Sequence, residues 1–278
     1  MPHEAGPTRA IDYGERVKIA LIDSGIGLLP AAAAVRRLQP SADLVLSSDP
    51  DGMPWGPRTT ADVSARAVAA AEAAAAHGPD ALIVACNTAS VHALADVRAR
   101  LEPQVPVIGT VPAIKPAAAG GGPVAIWATP ATTGSDYQRD LIGRFADGVD
   151  VTEVACPGLA DAVQNADEAA IDRAVADAAE RTPRDVRSVV LGCTHYELVG
   201  ERIRQAVAVR GDSAEPLVLH ASAGAVAAQL MRRIAAAEPD GGLAGGLTVL
   251  LSGREAELPE AALTYAEGRL LAAVSPVR

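Results

Sequence analysis

The sequence predicts an α/β protein made of two pseudo-symmetric domains, each built on a parallel sheet, with a cleft between them. Three observations carry this prediction. Short apolar runs with no polar alternation recur along the chain, as strands buried on both faces require. Stretches of helix formers separate them, which is the rhythm of a parallel α/β sheet. The pattern then restarts, at a nearly constant offset. Asp23 and Thr129, each just past a first strand, are 106 residues apart; Cys86 and Cys193 are 107 apart, as are Asp49 and Cys156.

Taken in order, residues 17–23 (VKIALID) read as a strand and 24–27 (SGIG) as its turn. Pro30 suits the first turn of the next helix, where its missing N–H costs nothing. Residues 42–49 form the second strand, and 61–78 a helix of strong helix formers ended by Gly78. A third strand covers 80–87, a helix 88–102, and a fourth strand 105–111. The second half repeats this with strands at 122–130, 149–157 and 186–194 and helices at 131–145, 167–182 and 197–210. Two further strand–helix pairs, at 215–238 and 247–271, are expected to return to the first sheet, with 238–246 as a surface loop. The domains are therefore read as 17–112 plus 218–278 and 113–217, after a flexible tail at 1–16.

Composition narrows the function. Aromatics are only 3% of the 278 residues and the net charge is −10, so base stacking and a basic nucleic-acid face both lack material. Lys18 and Lys115 are the only lysines, and neither is placed like a Schiff-base lysine. The three cysteines, Cys86, Cys156 and Cys193, form no C-x-x-C pair, so neither a disulfide framework nor a zinc knuckle is expected. No apolar run reaches membrane-spanning length. A cytoplasmic protein with free thiols follows, with no metal and no membrane or nucleic-acid partner.

The chemistry points to the cleft. Right-handed crossovers put the C-terminal ends of parallel strands on one rim, where ligands bind. Each half then offers a thiol where a strand turns into a helix, in "IVACNTASV" and "LGCTHYELV". Two proton carriers facing each other across a small ligand suit inversion at an acidic carbon. One removes the α-proton from one face and the other delivers a proton to the opposite face. An unperturbed thiol, with a pKa of about 8.5, serves both roles near working pH. Ser24, Asn87, Thr88 and Thr194 can supply hydrogen bonds to the carbanion, and the glycines of "DSGIG" permit close approach to a ligand. Cys156 reads as a structural cysteine, and His77, His92 and His220 as surface or packing groups.

These residues resemble the glutamate racemase family, within the cofactor-independent aspartate/glutamate racemase superfamily. The resemblance rests on "LIDSGIG", "MPWGPR", "ACNTAS" and "LGCTHYELV", with lesser echoes in "VPVIGTV", "ATPATTGSDYQ" and "EVACPGL", and spans roughly residues 17–270. It implies an active site between the two domains, no cofactor, and Cys86 and Cys193 as the acid/base pair. Asp23 would assist Cys86 and His195 would assist Cys193. Substrate contacts would come from Ser24, Pro54, Trp55, Gly56, Asn87, Thr88, Thr129 and Thr194. The implied activity is interconversion of L- and D-glutamate for cell-wall peptidoglycan, and the implied assembly allows a homodimer.

Three departures fall on the proposed site. Trp55 stands where the family has a tyrosine, Gln164 where it has a glutamate eight residues after Cys156, and "VPAIKP" where it has Glu-Pro. Asp161, one helical turn from Gln164, could supply the missing acid. The alternatives are a superfamily member acting on another amino acid, an isomerase or decarboxylase, and a catalytically silent ligand-binding homologue.

Overall fold

The computed structural model describes residues 16–211, 216–234 and 244–273. The expected tail lies outside them except for Arg16, as does most of the expected loop at 238–246. Among the described residues there are ten strands: β1 Lys18–Asp23, β2 Asp43–Ser48, β3 Ala81–Val84, β4 Val107–Gly109, β5 Val124–Ala128, β6 Val151–Ala155, β7 Ser188–Leu191, β8 Val218–His220, β9 Leu247–Leu251 and β10 Arg254–Ala256. They form a six-stranded sheet in the order β10-β9-β2-β1-β3-β4 and a four-stranded sheet in the order β6-β5-β7-β8. Every pairing is parallel except β10 with β9. The apolar runs earn their burial: every residue of β3, β5 and β7 is buried.

The order β2-β1-β3-β4 recurs as β6-β5-β7-β8, so the offset read in the sequence is a repeat of four strands. This corrects one expectation. The strand at 218–220 does not return to the first sheet; it pairs with β7, Leu219 opposite Val189. The sequence reading counted only three strands in the second half, whereas the repeat needs a counterpart to β4. Strand β9 does return to the first sheet, beside β2. In both sheets chain progression reverses across the central strand. The ends of β1 and β3, and of β5 and β7, are therefore the switch points where α/β sheets bind ligands.

Helices follow the expected spacing with three differences. The helix expected at 88–102 breaks at Ala93, whose φ of −128° and ψ of −10° leave the helical region, giving Asn87–His92 and Leu94–Leu101. The helix expected from 131 begins at Asp136, because Ser135 caps it by accepting the Gln138 N–H. Short helices at Ile114–Ala119, Leu159–Gln164 and Thr194–Glu197 were not anticipated as separate elements. Pro30 sits in the first turn of Leu29–Leu38 as expected. Among the described residues, no helix is long and apolar enough to cross a membrane.

One buried apolar cluster runs through both sheets, joining Leu21, Leu46 and Ile83 to Trp127, Val189 and Leu191. A polar clamp ties the same region together. The half-buried Glu197 carboxylate accepts from the Ser222 N–H (2.8 Å), the Ser222 hydroxyl (2.7 Å) and the Ala223 N–H (3.3 Å). It thus caps the helix Ala223–Arg233 from another element, satisfying donors that helix cannot satisfy itself. Glu197→Ala strands those buried donors and is expected to lower unfolding free energy by about 1–3 kcal/mol. Glu197→Gln, which keeps an acceptor, should lose less; urea denaturation of the two variants checks this.

Candidate active site

Both thiols occupy the same local structure. Cys86 follows β3 by two residues and is the N-cap of Asn87–His92, with φ −138° and ψ 125°. Cys193 follows β7 by two residues and is the N-cap of Thr194–Glu197, with φ −138° and ψ 134°. An N-cap side chain faces the unpaired N–H groups of the first turn. The Cys86 sulfur takes such a contact from the Ala89 N–H, and the Cys193 sulfur from the His195 and Tyr196 N–H groups. The fold thereby offers each sulfur the donors that a thiolate needs.

Each thiol also lies beside an ionisable side chain. Asp23, fully buried at the end of β1, accepts from the Ser24 N–H, from the Ser24 hydroxyl at 3.1 Å and from the Thr194 hydroxyl at 3.2 Å, and it faces Cys86. Burial raises its pKa to about 7, against the lowering effect of those hydrogen bonds. His195 Nδ1 lies 4.0 Å from the Cys193 sulfur, and burial lowers the imidazole pKa to about 4. Burial likewise pushes Cys193 up to about 12 and Cys86 well above its ordinary value, the latter reinforced by Asp23. At neutral pH the resting site therefore holds two thiols and a neutral histidine, beside an aspartate whose pKa burial has raised far above its ordinary value.

The Asp23 shift has a consequence for stability. Its folded pKa lies above the unfolded value of 3.8, so the folded state binds more protons between about pH 4 and pH 7. Its contribution is fully present below that window and is lost as pH rises through it. His195 acts oppositely between about pH 4 and 6.5, where the unfolded state binds more protons. Asp23→Asn removes the first effect alone. The variant should match or trail the wild type at pH 4 and exceed it at pH 8, read from urea midpoints across that range.

A cavity of about 270 Å³ opens beside these groups, the scale of a small metabolite. Of the expected site residues it is bounded by Asp23, Ser24 and Cys86 from the first sheet's rim, Thr88 on the following helix, the Pro54–Trp55–Gly56 loop, Thr129 past β5, and His195. Three expected residues do not border it. Asn87 turns away to donate to the Gly192 carbonyl at 2.5 Å, and Thr194 donates to Asp23. These two bonds stitch one thiol loop to the other. Cys193 lies beside His195, half-buried, and close enough to Cys86 and Asp23 to share their electrostatics.

Asp161, read in the sequence as a stand-in for the missing acid, joins the wall, as do residues that were not expected there. Cys156, Pro157 and Asp161 border the cavity. Cys156 is the counterpart of Asp49 by the sequence offset, and that offset was the available signal. Burial raises its thiol to about 12, and it sits against the Val154 carbonyl as a packed group. Trp55 is almost fully buried, with its indole N–H donated to Asp49 at 3.0 Å. Asp49 in turn accepts from Arg66 and from the Ser252 hydroxyl. The ring presents an apolar wall where a phenol would present a hydroxyl. No lysine or arginine borders the cavity among the described residues, and none of their acidic, histidine and cysteine groups cluster as a metal site.

The glycines of "DSGIG" also allow close packing within the protein. They bring the turn against Asp23 of the first half and against Gln164, Thr194 and His195 of the second. A Cβ on Gly25 would lie 2.1 Å from Gln164 Oε1, and one on Gly27 would lie 2.3 Å from Asp23 Oδ2, 2.5 Å from His195 Nδ1 and 2.6 Å from Thr194 Oγ1. The two halves meet at this turn so closely that only hydrogen atoms fit.

Comparison with known proteins agrees with this geometry. The Asp/Glu/hydantoin racemase family model matches residues 28–230. The chain belongs to that family. As a member of the Asp/Glu/hydantoin racemase family it is 42% identical over 212 residues to a glutamate racemase of Roseiflexus sp., covering 73% of this chain and 75% of that one. Its fold is similar to the crystal structure of Escherichia coli glutamate racemase in complex with L-glutamate and the activator UDP-MurNAc-ala. That match has a TM-score of 0.73 and 27% identity, over 89% of this chain and 92% of that chain. It is similar also to glutamate racemase from Thermus thermophilus in complex with β-chloro-D-alanine, with a TM-score of 0.67 and 30% identity over 95% and 96% of the two chains.

Proposed function

We propose that the protein interconverts L- and D-glutamate, using Cys86 and Cys193 as opposed acid and base. The observation that carries this reading is the matched pair of N-cap thiols at the switch points of the two sheets, each beside a separate proton acceptor. Asp23 serves Cys86, and His195 serves Cys193. The relatives named above support glutamate as the substrate.

In this reading the bound amino acid makes its own base. Its ammonium group, entering a dry cavity, favours the thiolate over the thiol by charge attraction. The cysteine proton passes to its partner, Asp23 or His195 Nδ1. The thiolate then takes the α-proton, leaving the electron pair on Cα and the carboxylate. The opposite thiol delivers its proton to the other face, which leaves a thiolate on that side and one extra proton on the first cysteine's partner; proton exchange with solvent as the product leaves restores both thiols. Ser24, Thr88 and Thr129 supply hydroxyl groups to the substrate carboxylates. Trp55, Pro54 and Gly56 close the wall and exclude water, which would otherwise quench the carbanion. As a source of D-glutamate the protein would serve peptidoglycan synthesis, in the cytoplasm, and as a monomer or a homodimer.

Asp161 on the cavity wall favours a second reading, in which the substrate side chain is not an anion. The two are separated by α-proton exchange in deuterated buffer across a panel of L- and D-amino acids. Glutamate is expected to exchange and racemise fastest. Exchange with a neutral amino acid and none with glutamate would select the second reading, and no exchange with any would reject both.

A further inference from the structure

We propose that Gln164 is a positioning residue that holds His195 as the Nε2–H tautomer, leaving the Nδ1 lone pair directed at Cys193. The catalytic consequence rests on the racemase reading; the tautomer itself does not. Gln164 was noticed in the sequence only as a missing acid. In the structure its amide ends a chain of contacts that fixes where one proton sits.

The chain starts with a group whose role admits no choice. The Ile26 backbone N–H can only donate, and it lies 2.8 Å from Gln164 Oε1. The amide therefore presents oxygen, and not NH₂, at this point. His195 Nε2 lies 3.1 Å from the same oxygen. A carbonyl oxygen accepts two hydrogen bonds but donates none, so Nε2 must carry the hydrogen. A neutral imidazole has one N–H, so Nδ1 is bare. It lies 4.0 Å from the Cys193 sulfur, which can then donate its S–H. The absence of a side chain at Gly25 is what allows the turn to press this close to Gln164.

The neutral amide matters as much as its direction. A carboxylate at position 164 would accept the same two N–H groups, but it would also stabilise the imidazolium. An imidazolium has N–H at both nitrogens and cannot take a thiol proton. With Gln164, burial works unopposed to keep the ring neutral. The other titratable groups around the ring are Asp23 from β1, Cys86 after β3, Cys156 after β6, Asp161 on the helix bearing Gln164, and Cys193 and Tyr196 on its own turn. Asp23 and Asp161 are the only carboxylates among them; Asp23 is already bonded to Ser24 and Thr194, and Asp161 stands at the exposed rim.

Nitrogen-15 spectra of histidine-labelled protein test this, with the His195 signals assigned by their absence in His195→Gln. The wild type should show Nε2 protonated and Nδ1 bare, and should stay neutral down to about pH 5. Gln164→Met removes the acceptor. It should mix the two tautomers and lower kcat/KM by about tenfold or more. Gln164→Glu keeps both accepted bonds, serves if the methionine variant fails to fold, and should raise the His195 pKa by about one unit or more. A wild-type ring protonated on Nδ1 would overturn the proposal. So would a folded Gln164→Met variant with an unchanged tautomer, or a Gln164→Glu variant with an unmoved His195 titration. Failure of the racemase reading would show separately, as absence of α-proton exchange by the wild type.

Discussion

Replacing either thiol by alanine is expected to abolish racemisation while sparing half of the proton chemistry. Cys86→Ala and Cys193→Ala should each lower kcat/KM by about 10³-fold or more, the upper part of the range for losing a general acid or base. The loss must be equal in the L-to-D and D-to-L directions. Enantiomers have the same free energy, so the two values of kcat/KM are tied to one another whatever the enzyme. What distinguishes the variants is exchange. Enantiomers bound with their carboxylates and ammonium in common contacts present Cα–H to opposite sides. Each variant should therefore wash deuterium into one enantiomer only, and the two variants into different ones. Proton NMR of each enantiomer in deuterated buffer reads this. A variant that exchanges both enantiomers at comparable rates would mean that a second base remains on the deleted side.

Gly27→Ala should be nearly as damaging, although glycine has no chemistry to lose. The added methyl must displace Asp23 Oδ2, His195 Nδ1 or Thr194 Oγ1, each under 3 Å away. None of the three is the free end of a flexible chain. Asp23 is held by Ser24 and Thr194, and His195 by Gln164. Overpacking of this kind costs about 1–3 kcal/mol of stability. Misplacing catalytic groups by about 1 Å can cost on the order of 10²-fold in rate. The expected result is a folded protein with kcat down about 10²-fold and a modest fall in urea midpoint. An unchanged kcat would show that the acceptors can shift without consequence.

Much of the site was legible because its chemistry is local. A cysteine that ends a buried strand and starts a helix must occupy the N-cap, and both do. Asp23 at the end of β1 and the Pro54–Trp55–Gly56 loop reach the cavity for the same reason: rim positions of parallel sheets converge. What the sequence could not place were side chains whose partner lies on another element. Asn87 and Thr194 were assigned to substrate, yet the Asn87 amide donates to Gly192 and the Thr194 hydroxyl to Asp23 across the cleft, 105 and 171 residues away in sequence. Gln164 finds Ile26 over 138 residues. Strand β8 was misplaced on similar grounds, since three half-exposed residues carry little periodicity, and the four-strand repeat becomes visible only when the sheets are formed.

The recurring strand order bears on how a handed molecule can be impartial. No chain of L-residues can contain a mirror plane, so it cannot offer reflected surroundings to reflected ligands. Rotation by half a turn is available to it, and such a rotation exchanges the top and bottom of any flat carbon lying across the axis. Two like βα units, each ending in a sulfur with nearly the same backbone angles, approximate that operation. Copying one half of a protein thus supplies what its chirality forbids: near-equal treatment of left and right.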